Sequence, residues 1–91
     1  MQLRNIENNQ GEPLEMRIMH KFDFRETFTP FALLKVTQAF REMKPGDILQ
    51  VMGDDPKTRR EIFKVLQTVN YTVVNTEEDG KYYCIYFKKE N

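Results

Sequence analysis

Phe28-Thr29-Pro30-Phe31-Ala32-Leu33-Leu34-Lys35 joins an alternating segment to an apolar run of helical period, and its reading decides the fold. A threonine side-chain oxygen accepts a backbone N–H of the first helical turn. Proline suits the first helical position, where φ is already set and no N–H is needed. Thr29 therefore reads as an N-cap and Pro30 as the first residue of a helix. A helix start directs unsatisfied N–H groups and a partial positive charge outward, which favours an anion or a thiolate. A threonine nucleophile would instead need an amine or histidine in hydrogen-bond reach.

Upstream, residues 17–24 alternate, with Ile18, His20, Phe22 and Phe24 on one face and Arg17, Lys21 and Asp23 on the other. This is the period of a half-buried strand. Residues 1–15 have the composition of a flexible tail, in which Leu3 and Ile6 are the candidates for a short docking contact.

Downstream, the first helix is expected from Pro30 to about Met43. Leu33, Val36, Phe40 and Met43 form its stripe, Leu34 and Ala39 flank it, and Lys35, Gln38, Arg41 and Glu42 face water. Pro45-Gly46 predicts a type II turn. Residues 48–52 read as a central strand buried on both faces or nearly so. Asp55-Pro56 repeats the cap-and-proline signal for a second helix from Pro56 to about Val69, with Ile62, Val65, Leu66 and Val69 buried and Asn70 ending it in a left-handed conformation. Residues 71–76 and 82–88 form two further strands, joined by an Asp79-Gly80 hairpin turn. The order is β-α-β-α-β-β. Two crossovers place both helices on one face of a four-stranded mixed sheet, a two-layer α/β (α+β) sandwich with the other sheet face in water. Tyr83, Ile85 and Phe87 are expected under the helices, and Tyr82, Cys84 and Tyr86 on the open face.

The 91 residues amount to one domain, expected over residues 16–91. Fourteen lysines and arginines balance 14 aspartates and glutamates, so the chain as a whole is not a nucleic-acid binder by net charge. One cysteine gives no disulfide or zinc cluster. No run approaches the roughly 20 apolar residues of a membrane span, and no signal peptide is evident. A soluble cytoplasmic protein is the expectation.

These residues carry a family resemblance. The chain resembles the TusA/SirA group of small sulfur carriers, over roughly residues 16–89. The matching positions are Asp23, Pro30, Leu33-Leu34, Met43-Lys44-Pro45-Gly46-Asp47, Gly53-Asp54-Asp55-Pro56, Arg60-Glu61-Ile62 and Asp79-Gly80. The group has a Cys-Pro-x-Pro motif opening the first helix. Its cysteine accepts sulfane sulfur as a persulfide from a donor such as a cysteine desulfurase and passes it on, for example toward tRNA thiolation. Here Thr29 stands at the cysteine position, Ala32 replaces the second proline, and Glu26 replaces a glycine before the motif. A threonine hydroxyl is barely ionised at neutral pH and forms no persulfide. The resemblance thus implies the family's surface without its reaction: no catalytic residue, no cofactor, and a protein-binding or regulatory role in a sulfur-transfer system.

Other residues bear on alternatives. His20, the sole histidine, reads as half-buried with a local partner. Cys84 reads as an ordinary strand residue, its alternative being a relocated sulfur acceptor. Lys57, Arg59, Arg60 and Lys64 give the second helix a basic side that Lys35 and Arg41 extend; it reads as a solvated face, its alternative being tRNA binding. Tyr82 and Tyr86 form an aromatic patch suited to a protein partner or to stacked bases. Asp54 and Asp55 do not read as a metal pair, since Asp55 is taken by its cap.

Overall fold

The structure is a computed structural model and describes residues 17–91. The expected tail of residues 1–15 lies outside the described residues, as do Leu3 and Ile6. Six elements follow in order: β1 (Arg17–Asp23), α1 (Thr29–Glu42), β2 (Asp47–Gly53), α2 (Pro56–Val65), β3 (Tyr71–Glu78) and β4 (Tyr83–Lys89). The strands form one mixed sheet in the order β1-β2-β4-β3, with β1 and β2 parallel and β4 antiparallel to both its neighbours. This is the expected two-layer sandwich.

Both helices cover one sheet face. Ala32, Val36, Ala39, Phe40 and Met43 from the α1 side, with Ile62 and Leu66 from the α2 side, close over Leu49, Val51, Tyr83, Ile85 and Phe87. Phe87 is fully buried, and its ring lies 5.4 Å from Phe63, 5.5 Å from Tyr71 and 6.2 Å from Phe40. Such tilted and edge-on aromatic pairs each add about 0.5–1.5 kcal/mol beyond their area burial.

The turns follow their chemistry. Gly46 has φ 93° and the Asp47 N–H closes the turn onto the Lys44 carbonyl at 2.9 Å. Gly80, at φ 81°, turns the β3–β4 hairpin, where the Asp79 N–H bonds the Tyr82 carbonyl at 3.1 Å.

Several details differ from the sequence reading. The register of β1 on β2 shifts between Ile18 and His20. Met19 is the extra residue, so Ile18 lies beside Ile48 on the second sheet face while His20 and Phe22 stay on the helix face. The α1 stripe is rotated: Ala32 is fully buried, Leu33 is half-buried and Leu34 is 53% exposed. The close approach of α1 to the sheet fits an alanine methyl, not a leucine. Helix α2 ends at Val65 rather than near Val69, because its last turn tightens into three-residue hydrogen bonds, Gln67 N–H to Lys64 and Val69 N–H to Leu66. That turn sends Leu66 inward and leaves Val65 and Val69 exposed. Asn70 is not left-handed; among the described residues the only positive φ outside glycine is at Glu26. On the second sheet face Ile48 and Cys84 are buried, and Gln50, Met52 and Tyr86 are half-buried, so that face is not simply open to water.

Candidate functional site

Parallel strands β1 and β2 end at the same side of the molecule, and the chain leaving each one starts a helix there. The N-termini of α1 and α2 consequently stand next to each other. At α2 the expected cap is in place: the Asp55 carboxylate accepts the Lys57 N–H at 2.9 Å, and Pro56 follows. At α1 it is not. The capping position belongs to Phe28, no side chain closes the first turn, and Thr29 lies inside the helix.

Thr29 instead points sideways, its Oγ1 lying 2.8 Å from Oγ1 of Thr58 on α2. Thr58 is buried, and its hydroxyl donates to the second Asp55 oxygen at 3.3 Å. A threonine hydroxyl has a single hydrogen. With that of Thr58 committed to Asp55, Thr29 is the donor in the Thr29–Thr58 bond. The two helix ends are tied by a chain running Thr29 → Thr58 → Asp55, and the Thr29 proton is held inward.

The rim around this inward hydroxyl is apolar and exposed. Phe28 is 76% exposed and Phe31 52%, and with Leu34 they make a strip at three-residue spacing along the outer side of α1. Residues three apart on a helix are neighbours. The Lys35 ammonium hangs over Phe31 and Phe22, 5.6 and 5.8 Å from the ring centres.

Beside the rim, Arg25 organises the β1–α1 loop. It pairs with Asp23 at 2.6 Å and lies 4.8 Å above the Tyr82 ring. The hydrogen bond from Arg25 holds the Asp23 carboxyl at about 2, below its usual value. Glu26 follows with φ 60°, and its N–H reaches Asp54 Oδ1 at 3.4 Å. A left-handed residue other than glycine, asparagine or aspartate is uncommon, and this position is the one where the resemblance places a glycine.

The remaining residues singled out from sequence separate into groups. Arg59 is not part of a free basic face: it pairs with Glu78 at 2.7 Å and covers the Tyr83 ring at 5.2 Å. Lys57, Arg60 and Lys64 are exposed on α2. Tyr82 and Tyr86 do come together, lining a cavity of about 470 Å³ on the second sheet face with Arg25, Glu77, Asp79 and Cys84. Its acidic residues oppose a phosphate backbone. Cys84 is buried there with the Gln50 side-chain N–H 3.3 Å from its sulfur. Burial, the Cys84 contact and nearby Glu77 push the Tyr86 hydroxyl up to about 12. Burial, then Asp55, does the same for Tyr83, whose hydroxyl donates to the Asp55 carbonyl at 3.1 Å. His20 is half-buried in a row with Phe22, 5.8 Å between ring centres. Among the described residues no three potential metal ligands cluster, and no helix is long and apolar enough to cross a membrane.

Sequence reasoning missed Arg25, Thr58 and the Phe28–Phe31 rim. Thr58 had a signal, because the third helical residue faces back onto its cap.

Residues 20–89 match the family model described as sulfurtransferase TusA. The chain is 28% identical to the sulfur carrier protein TusA of Pseudomonas fluorescens over 81 residues, 89% of this chain and 98% of that protein. It is 32% identical over 71 residues to a protein of Methanocaldococcus jannaschii named as a candidate sulfur carrier, covering 78% of this chain and 95% of the relative. A TusA of Pseudomonas aeruginosa is 28% identical over 61 residues, 67% of this chain and 77% of its own length.

Proposed function

The chain belongs to the TusA sulfurtransferase family, and within it we propose a member that docks the protein partners of sulfur transfer in the cytoplasm without carrying sulfur itself. The observation that carries this reading is an exposed apolar rim around a hydroxyl turned inward. Phe28, Phe31 and Leu34 offer a partner contiguous apolar surface beside the helix start. Thr29, in the place the family gives to its thiol, donates its proton to Thr58 and presents no thiolate. The left-handed Glu26 supports the placement of the family motif on these residues. Asp23, Pro30, Asp54, Asp55 and Pro56 then act as framework around that start, not as chemical groups. The acidic border of the tyrosine cavity and the Arg59–Glu78 pair favour a protein partner over tRNA.

The test is incubation of the full chain with a cysteine desulfurase and cysteine, followed by intact-mass spectrometry and a binding titration. We expect binding with no stable added sulfur, and binding weakened at least about tenfold by Phe28→Ser with Phe31→Ser, in line with the dominance of buried aromatic anchors at interfaces. A stable gain of one sulfur atom overturns the reading; if it maps to Cys84, the carrier site has moved.

A further inference from the structure

Three tyrosine–carboxylate pairs gather where Arg25 of the β1–α1 loop meets the β3–β4 hairpin, and two of them hold an arginine in the same manner. Arg25 forks onto Asp23, its Nε and Nη2 donating at 2.8 and 2.6 Å, and its guanidinium lies 4.8 Å from the centre of the Tyr82 ring. Arg59 donates to Glu78 at 2.7 Å and lies 5.2 Å from the centre of the Tyr83 ring. A guanidinium suits such a corner because it is planar and delocalised: its edge meets a carboxylate while its face stacks on an aromatic ring.

The third pair is Tyr86 with Glu77. Strand pairing puts both on the second sheet face, Glu77 beside Cys84 and Tyr86 two residues further along β4, beside Asn75. Diagonal neighbours of this kind stand about 7–8 Å apart, a gap that long side chains bridge. Both line the cavity of about 470 Å³, together with Cys84 and Met52, which are themselves cross-strand neighbours. Glu77 accepts the Asn75 side-chain N–H at 3.3 Å, and among the described residues no lysine or arginine pairs with it. Of the other charges in the lining, Arg25 is matched by Asp23 and Glu78 by Arg59, while Asp79 accepts the Tyr82 N–H at 3.4 Å and has no cation partner among the described residues. The charge left over in the cavity is therefore negative.

We propose that the third corner takes a guanidinium from outside the chain, and that the cavity binds a small alkylguanidinium that ends in an amine. The carboxylate of Glu77 receives the edge of the group, the Tyr86 ring receives its face, and Met52 and Cys84 lie along the alkyl stem. The volume falls in the range of about 300–1,000 Å³ usual for small-ligand sites and leaves room for that stem. Asp79 favours an amine over a carboxylate at the far end. The site uses neither Thr29 nor the apolar rim, so it stands or falls apart from the docking role.

The experiment is a titration of the full chain with agmatine, followed by amide shifts of Glu77, Cys84 and Tyr86 in NMR spectra, with arginine, 1,5-diaminopentane and N-acetylarginine methylamide as comparison ligands. Agmatine is expected to bind saturably with a Kd below about 1 mM. Arginine should bind more weakly because of its carboxylate, and 1,5-diaminopentane at least about threefold more weakly because an ammonium does not stack. Glu77→Gln, which keeps the shape of the side chain, should weaken agmatine at least about tenfold by removing the charged acceptor. Tyr86→Leu should weaken it at least about threefold through the lost ring face. No saturable shift, agmatine binding unchanged in Glu77→Gln, or equal binding of the diamine overturns the proposal. Tighter binding of N-acetylarginine methylamide than of agmatine overturns the small-molecule assignment in favour of an arginine side chain on a polypeptide.

Discussion

The two helix starts stand side by side and are finished in opposite ways. At α2 an aspartate closes the first turn, a proline follows, and a buried threonine backs the carboxylate. At α1 a phenylalanine holds the capping position, no side chain closes the turn, and the adjoining aromatic surface faces solvent. The hydroxyl next to the α1 start is directed to α2 instead: Thr29 bonds Thr58, which donates to Asp55. One end is closed by its own side chains, and the other is open at its cap and draws its order from its neighbour.

That contrast can be broken by mutation, and the largest effect is expected just before the finished end. A Cβ on Gly53 would stand 2.6 Å from Cζ and 2.9 Å from Cε1 of Tyr83, whose hydroxyl is fixed on the Asp55 carbonyl. Gly53→Ala should destabilise by about 1–3 kcal/mol through forced displacement of a buried ring, measured by urea denaturation. Next, Asp55→Ala removes the cap and the anchor of the threonine chain, at about 1–2 kcal/mol. Thr29→Ala should cost less, about 0.5–1.5 kcal/mol for one hydrogen bond, since Thr58 keeps its bond to Asp55. Equal losses would mean that α1 is as strongly finished as α2. Glu26→Gly should act with the opposite sign. Relief of a left-handed residue is worth about 1 kcal/mol, and a rise in midpoint without loss of partner binding would assign the strain to the loop alone.

The smallest effect concerns acid. Arg25 holds Asp23 at about 2 in the folded chain, against 3.8 ordinarily. A folded-state value below the unfolded one gives stability that is present above 3.8 and lost as pH falls toward 2. The melting temperature of the natural chain should therefore fall more steeply across that window than that of Asp23→Asn, by a modest amount because the pair is exposed.

The element order, the two strand-to-helix junctions and the glycine turns were legible in sequence because each rests on local chemistry: a proline's fixed φ, a glycine's freedom, an alternating run. The Asp55 cap was legible for the same reason. Thr29 was not, since its hydroxyl had a choice between its own first turn and Thr58, 29 residues away. Ala32, which the periodicity left unassigned, is buried while the flanking Leu34 is exposed, for a similar reason: periodicity locates a stripe to within a residue, and the distance between helix and sheet decides which side chain fits. Glu26 gave no local warning of a left-handed backbone; only the family glycine at that position pointed there. Lys89, whose ammonium bonds the Phe40 and Met43 carbonyls at 2.7 and 2.8 Å and so finishes the C-terminal end of α1, gave none either.

The place of β4 has a consequence for the birth of the protein. It is the last of the four described strands in chain order, yet it lies between β2 and β3 and carries the buried Phe87. A nascent chain that ends before Tyr83 has its outer strands and both helices but nothing to join β2 to β3. Folding must then wait until Lys89 has cleared the ribosome, so this domain closes in one late step and offers chaperones an unclosed sheet until then.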